Sequence, residues 1–189
     1  MKKLKVVALA SALLMASTAV FAADKTANES SDSHFYVGVG GGIDVPTQNI
    51  NPVYSLAGAA EAQFGYAFNP EVAVQVQVNN QLDDATISGV ATSVYGLRPV
   101  AELKLSAPID RFSPYLLAGA GANIQFASAA GQTNSNTSFD AVGGLGAQYD
   151  LGGAAIYVEG QYNFAFVNNV PNVTTVQDIP VEAGINFSL

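Results

Sequence analysis

The stretch "AAIYVEGQYNFAF", residues 154–166, alternates apolar and polar side chains with scarcely an error. Ile156, Val158, Tyr162, Phe164 and Phe166 share one face, with Gly160 among them, while Tyr157, Glu159, Gln161 and Asn163 share the other. A period of two marks a β-strand with one wet side and one oily side. The pattern recurs in eight segments, at roughly 35–44, 54–66, 71–80, 93–105, 114–126, 139–150, 154–166 and 179–189. None of them carries a helical period. Pro46, Pro52, Pro70, Pro108 and Pro171 fall between the segments, where a missing N–H costs least.

Parity decides which face looks outward. One parity holds Phe35, Val37 and Val39, then Val72, Val74, Val76 and Val78, then Leu103 and Leu105, and finally Val181, Ile185, Phe187 and Leu189. No charged side chain interrupts it within the segments. The other parity holds Glu61, Gln63, Gln75, Gln77, Arg98, Glu102, Lys104, Asn123, Gln125, Gln148, Glu159, Gln161, Glu182 and Asn186. A soluble barrel would fill its interior with bulky apolar groups and stud its outside with Lys and Glu. Only 12% of this chain is charged, too little to coat a soluble surface well. Aromatics gather at segment ends, with Phe35, Tyr66, Phe68, Phe112, Tyr115, Tyr149 and Phe187 at one rim. Tyr54, Tyr95, Phe126, Phe139, Phe164 and Phe166 lie near the other, as interfacial girdles do. The oily face is the outer one.

Connector lengths agree. "VPTQNINPV" (45–53), "QLDDATISGVAT" (81–92), "ASAAGQTNSNTS" (127–138) and "VNNVPNVTTVQD" (167–178) read as long polar outer loops. The intervening "AFNP" (67–70), "SAPIDRFS" (106–113) and "LGG" (151–153) are shorter, the rhythm of a membrane barrel whose short turns face the periplasm. The chain thus reads as all-β, an eight-stranded antiparallel up-and-down transmembrane β-barrel over residues 35–189. Ahead of it, residues 1–22 read as a secretory signal, with basic "MKKLK", apolar "VVALASALLMASTAV" and small residues before cleavage at Ala22. An uncleaved membrane helix is the alternative, disfavoured by the Ala/Ser-rich run and the cleavage site behind it. Residues 23–34 read as a polar periplasmic leader.

Several function classes drop out. Losing Lys2, Lys3 and Lys5 with the signal leaves four cations against fifteen carboxylates, a net charge of −11. Nucleic-acid binding, which needs clustered Lys and Arg, does not fit. With no Cys and a single His, neither a Cys–His pair nor a His-rich metal site can be built. No catalytic, cofactor-binding or metal-ligating set is assigned and no cofactor is expected. The glycines of "GVGGGID" lack the strand–turn–helix setting of a nucleotide loop.

At the level of particular stretches, "HFYVGVGGG", "RFSPYLLAGAGA" (111–122) and the closing "VEAGINFSL" resemble the small OmpA/OmpX-type outer-membrane β-barrels. The resemblance covers essentially all of the chain after the signal, and the order of eight segments carries it. It implies an integral outer-membrane protein of a Gram-negative-type bacterium; the lack of Cys, and of any His near the outer rim, points to a non-enzymatic membrane-structural or surface protein with at most limited small-solute permeation. The resemblance also implies contact with outer-membrane lipid and lipopolysaccharide, and insertion by the barrel-assembly machinery through the C-terminal strand. Family members usually end on an aromatic residue, whereas this chain ends on Leu189 with Phe187 two positions earlier.

The lumen set is the chemistry-bearing constellation. Arg98, Glu102 and Lys104 lie on the fourth strand, across an eight-membered ring from Glu182 on the eighth, with Glu61 and Glu159 pointing into the same space. Buried charges must pair or bind water. Arg98 is expected to pair with Glu61 or Glu182, and the lumen-facing glycines to make room for long charged side chains. A polar plug and a narrow, cation-preferring conduit both follow from this set. The outer loops, which carry Asp83 and Asp84, could meet a host or cell-surface ligand. A soluble apolar-ligand barrel would need an apolar interior, which the lumen set contradicts.

Overall fold

Alternating segments whose polar face cannot meet lipid have one stable arrangement in a membrane, a ladder closed on itself. The computed structural model, which describes residues 33–47, 57–87, 90–129, 132–170 and 173–189, has that arrangement. Eight antiparallel strands pair in sequence order around one closed barrel. They are β1 (His34–Pro46), β2 (Ala57–Ala67), β3 (Val72–Ile87), β4 (Val90–Ser106), β5 (Phe112–Ala129), β6 (Gln132–Asp150), β7 (Ala154–Val170) and β8 (Val173–Ser188). β8 returns to β1 in register from Tyr36↔Ser188 to Pro46↔Asp178, so no edge is left unpaired. The signal at 1–22, most of the leader, Pro52, Tyr54, Leu56 and Pro171 lie outside the described residues, as do the side chains of Asp83 and Asp84.

The outer connections differ from expectation. Segments 81–92, 127–138 and 167–178 read as loops in the sequence, yet most of their residues lie in strands. β3 runs on to Ile87 and β4 begins at Val90, β5 reaches Ala129 before β6 starts at Gln132, and β7 reaches Val170 before β8 starts at Val173. Thr, Val, Ile and Asn in these stretches keep the ladder going, as in Asp84↔Ser93 and Ser128↔Thr133, because pairing satisfies the backbone in water as well as in lipid. β6 is 19 residues long, whereas a tilted strand crosses the hydrocarbon in about 9–11, so the barrel projects past the bilayer on the outer side.

Parity holds throughout. On neighbouring positions of β3, Val76 is 49% exposed and Gln77 1%; on β4, Leu103 is 42% exposed and Glu102 4%. Tyr115 is the exception among the rim aromatics. It is buried in the lumen rather than set in a girdle, since it has the parity opposite to lipid-facing Leu116. Rings that do share the lipid face meet across strands, as Phe35–Tyr66 and Phe139–Phe166 do, or two residues along the chain, as Tyr66–Phe68 and Phe164–Phe166 do. Phe35–Tyr66 (4.7 Å) and Tyr66–Phe68 (5.0 Å) lie at the periplasmic rim, and Phe139–Phe166 (5.9 Å) and Phe164–Phe166 (4.7 Å) lie at the outer one.

Turns at the periplasmic end are closed by local chemistry. Asn69 Oδ1 accepts from the N–H groups of Glu71 (2.9 Å) and Val72 (2.7 Å), and Asp150 Oδ1 accepts from Gly152 N–H (2.7 Å). Gly152 and Gly153 adopt φ of 82° and 102°, values that a residue with a Cβ rarely takes. Pro99 and Pro180 stand inside strands, unlike Pro70 and Pro108, while Pro46, expected between segments, is the last residue of β1 and pairs with Asp178. The ladder lapses beside Pro99 and Pro180, between Leu97↔Ile124 and Val100↔Gly121 and between Gly160↔Val181 and Asn163↔Asp178.

Val76→Lys should cost about 2–4 kcal/mol near the midplane, because it sets a cation against lipid. Gln75→Lys enters a lumen opposite Glu102 and should cost far less. Urea unfolding of the two variants in micelles checks this; equal losses would contradict the assigned parity.

Candidate functional site

Period two sends every second side chain of eight strands into a space just wide enough for side chains to fill. All six charged residues singled out in the sequence, Glu61, Arg98, Glu102, Lys104, Glu159 and Glu182, point there and are buried. Three further carboxylates join them, Asp44, Asp140 and Asp178. The described lumen therefore carries seven carboxylates against two cations, a larger negative surplus than the sequence suggested. Asp140 shares the parity of Gln148 within the segment 139–150 and was detectable from it, whereas Asp178, with the parity of Glu182, lies one residue before the segment 179–189 and needs β8 drawn to its full length.

Arg98 pairs with these additions and not with Glu61 or Glu182. Its Nη1 and Nη2 donate to Asp178 Oδ1 (3.0 Å) and Oδ2 (2.7 Å), a bidentate fork. Its Nε lies 2.6 Å from Asp140 Oδ2, an ion contact without hydrogen-bond alignment. Asn163 Nδ2 also donates to Asp178 Oδ1 (2.8 Å). The expected crossing from β4 to β8 is present, but four residues outward of Glu182, because barrel strands are tilted and staggered so that equal sequence depth is not equal height. Arg98 thereby ties β4 to β6 and β8.

Lys104 sits at the periplasmic end. It donates to Gln148 Oε1 (2.7 Å) and lies 4.0 Å from the centre of the Tyr115 ring, a cation–π contact. With Tyr36 it lines the inner end of a cavity of about 280 Å³ that opens at the periplasmic mouth. Tyr36 Oη donates to Gln75 Oε1 (2.7 Å), and Gln75 Nε2 donates to Glu102 Oε2 (2.7 Å).

Between these two levels lies a carboxylate layer. Tyr115 Oη donates to Glu159 Oε2 (2.8 Å), and Gln161 Nε2 donates to Glu159 Oε1 (2.8 Å) and Gln77 Oε1 (2.8 Å). Gln77 Nε2 and Tyr157 Oη donate to the two oxygens of Glu61. Glu61, Glu159 and Glu182 each bring one oxygen to within 4.8 Å of the others. A search built on His and Cys does not find this grouping, since it consists of carboxylates alone, two from the neighbouring strands β7 and β8 and one from distant β2.

Glycine positions explain how such a narrow tube holds tyrosines. Tyr36 faces Gly65, Tyr115 faces Gly146 and Tyr157 faces Gly184, each directly across a strand pair. A Cβ at any of the three glycines would fall inside the facing ring's van der Waals envelope. The clearance expected for long charged chains is thus used first by aromatic rings. Glu102 also benefits, its Cγ lying 2.7 Å from where a Cβ of Gly119 would stand.

Arg98→Ala leaves Asp140 and Asp178 buried without their cation and should destabilise by about 3–5 kcal/mol. Adding Asp178→Asn to Arg98→Ala should recover part of that loss. Urea unfolding of the single and double variants measures the coupling, and purely additive losses would dissolve the brace.

Comparison with known proteins agrees with this architecture. Residues 8–187 match the family model described as outer membrane protein beta-barrel domain. No curated protein matches the chain by sequence. Among solved structures, Neisserial surface protein A is similar at a TM-score of 0.68 and 16% identity, covering 82% of this chain and 97% of that one. Ail, the attachment invasion locus protein of Yersinia pestis, is similar at 0.51 and 18% identity, with the same coverage of 82% and 97%. A major outer membrane protein of Thermus thermophilus is similar at 0.56 and 13% identity, covering 83% and 99%. At these identities the structural likeness speaks for the fold alone, whereas the family match spans nearly the whole chain. The chain belongs to the outer membrane protein beta-barrel domain family.

Proposed function

We propose that this barrel is a closed, non-enzymatic scaffold of the outer membrane that presents its projecting strands at the cell surface. The single observation carrying this reading is the filled lumen. Arg98 bridges β4 to β6 and β8 near the outer end, and Gln77, Gln161, Glu159 and Tyr115 are hydrogen-bonded to one another below it. The periplasmic cavity stops at Tyr36 and Lys104 instead of continuing past them. A diffusion porin with cation preference is the runner-up, favoured by the carboxylate surplus. Lipid and lipopolysaccharide around the apolar belt, and the assembly machinery acting on β8, are the partners this reading entails. So is export through the signal at residues 1–22.

The outer stretches 45–53, 81–92, 127–138 and 167–178 contain no Lys or Arg. Ail has been crystallised with the heparin analogue sucrose octasulfate. A sulfated polyanion would find no counter-charge on these stretches, so a surface ligand here is neutral or cationic, or reaches them through bridging metal ions.

Planar-bilayer recording tests the closed-scaffold reading. The refolded protein should show no stable open level, while Arg98→Ala should introduce one as its brace is removed. A steady cation-selective conductance in the unaltered protein would favour the porin reading instead. In outer-membrane fractions the folded protein should resist SDS until boiled, because no strand edge is open; recovery as a detergent-free periplasmic monomer would contradict the membrane placement.

A further inference from the structure

We propose that Glu61, Glu159 and Glu182 form a buried site for a divalent cation of the calcium–magnesium class in the middle of the lumen. Glu159 and Glu182 stand directly opposite each other across β7 and β8, an arrangement of like charges that destabilises a sheet unless something neutralises it. One oxygen from each of the three residues falls within 4.8 Å of the other two. A calcium ion about 2.4 Å from each ligand fits such a span, and hard carboxylate oxygens select this class of metal.

Two buried side chains beyond these close approaches point to a missing partner. Glu182 is 1% exposed, and neither of its oxygens accepts a hydrogen bond. Asn79, on β3 directly opposite Glu61, is 2% exposed, and neither its Oδ1 nor its Nδ2 has a partner. Buried and paired across β2 and β3 with Glu61, it offers a further hard oxygen donor. The described cations do not fill the role, since Arg98 is held by Asp140 and Asp178 and Lys104 donates to Gln148. The donors that reach Glu61 and Glu159 are neutral, Gln77, Gln161, Tyr115 and Tyr157. They orient the carboxylates without cancelling their charge, as outer partners do around a metal.

Terbium luminescence tests the site, because Tyr157 and Tyr115 bond the proposed ligands and the chain has no Trp to compete as sensitiser. Protein refolded in lipopolysaccharide-free micelles should sensitise terbium saturably, and calcium should displace it. Glu182→Gln should weaken calcium by at least the ~10–100-fold that loss of even an outer partner brings. The same variant should abolish any calcium-dependent rise in the midpoint of heat modification, whereas Asp110→Asn at a periplasmic turn should change neither. If Glu182→Gln does not refold, Glu159→Gln carries the same expectations. Absence of saturable binding would overturn the proposal and leave a proton shared within the cluster as the neutraliser. An undiminished calcium response in either refolded variant would overturn it too, by placing the ion elsewhere.

Discussion

Lipid offers no hydrogen bonds, so every backbone N–H and C=O crossing it must be paired by the chain itself. This barrel meets that demand with a ring of eight paired strands, closed between β8 and β1. Closure has a second effect. Once the ring is sealed at eight strands, half of all side chains enter a confined interior with scant water to solvate them. The apolar belt, the girdles and the lumen chemistry all descend from that one constraint.

The lumen answers confinement in two ways. Near the outer end, charge meets charge, with Arg98 forked onto Asp178 and touching Asp140. In the middle, Glu61 and Glu159 accept from neutral amides and phenols while Glu182 accepts from none. Replacing buried ion pairs with apolar groups is often neutral or stabilising, so stability alone is a poor reason to keep such groups. They do prescribe how the interior is filled. Each tyrosine stands over one glycine, and each of these phenols then reaches one acceptor, Gln75, Glu159 or Glu61.

Beyond the bilayer the same ladder continues as a projecting β-structure, with no change of secondary structure at the interface. Its polar residues are amides and hydroxyls, with carboxylates as the charged groups. That chemistry keeps the projecting surface polar while offering a polyanion no positive charge to bind.

Strand number, antiparallel order and the outward direction of the oily face were all legible in the sequence, because a period of two is local and each residue reports its own face. The same parity sends Glu61, Arg98, Glu102, Lys104, Glu159 and Glu182 inward, and all six are buried. Where the strands end was not legible, since Thr- and Asn-rich stretches such as 127–138 suit a loop or an exposed strand equally until a partner strand is in place. Pairing across the lumen was not legible either. Arg98 found Asp178 and not Glu182 because tilt and stagger set the relative heights of β4 and β8, quantities that belong to the closed ring and to no single strand. The meeting of Glu61, Glu159 and Glu182 is of the same kind. The sequence by itself determined which side of the wall each residue occupies, because that depends only on neighbours along the chain. Which residues meet inside was decided only by closure, because it depends on the geometry of all eight strands together.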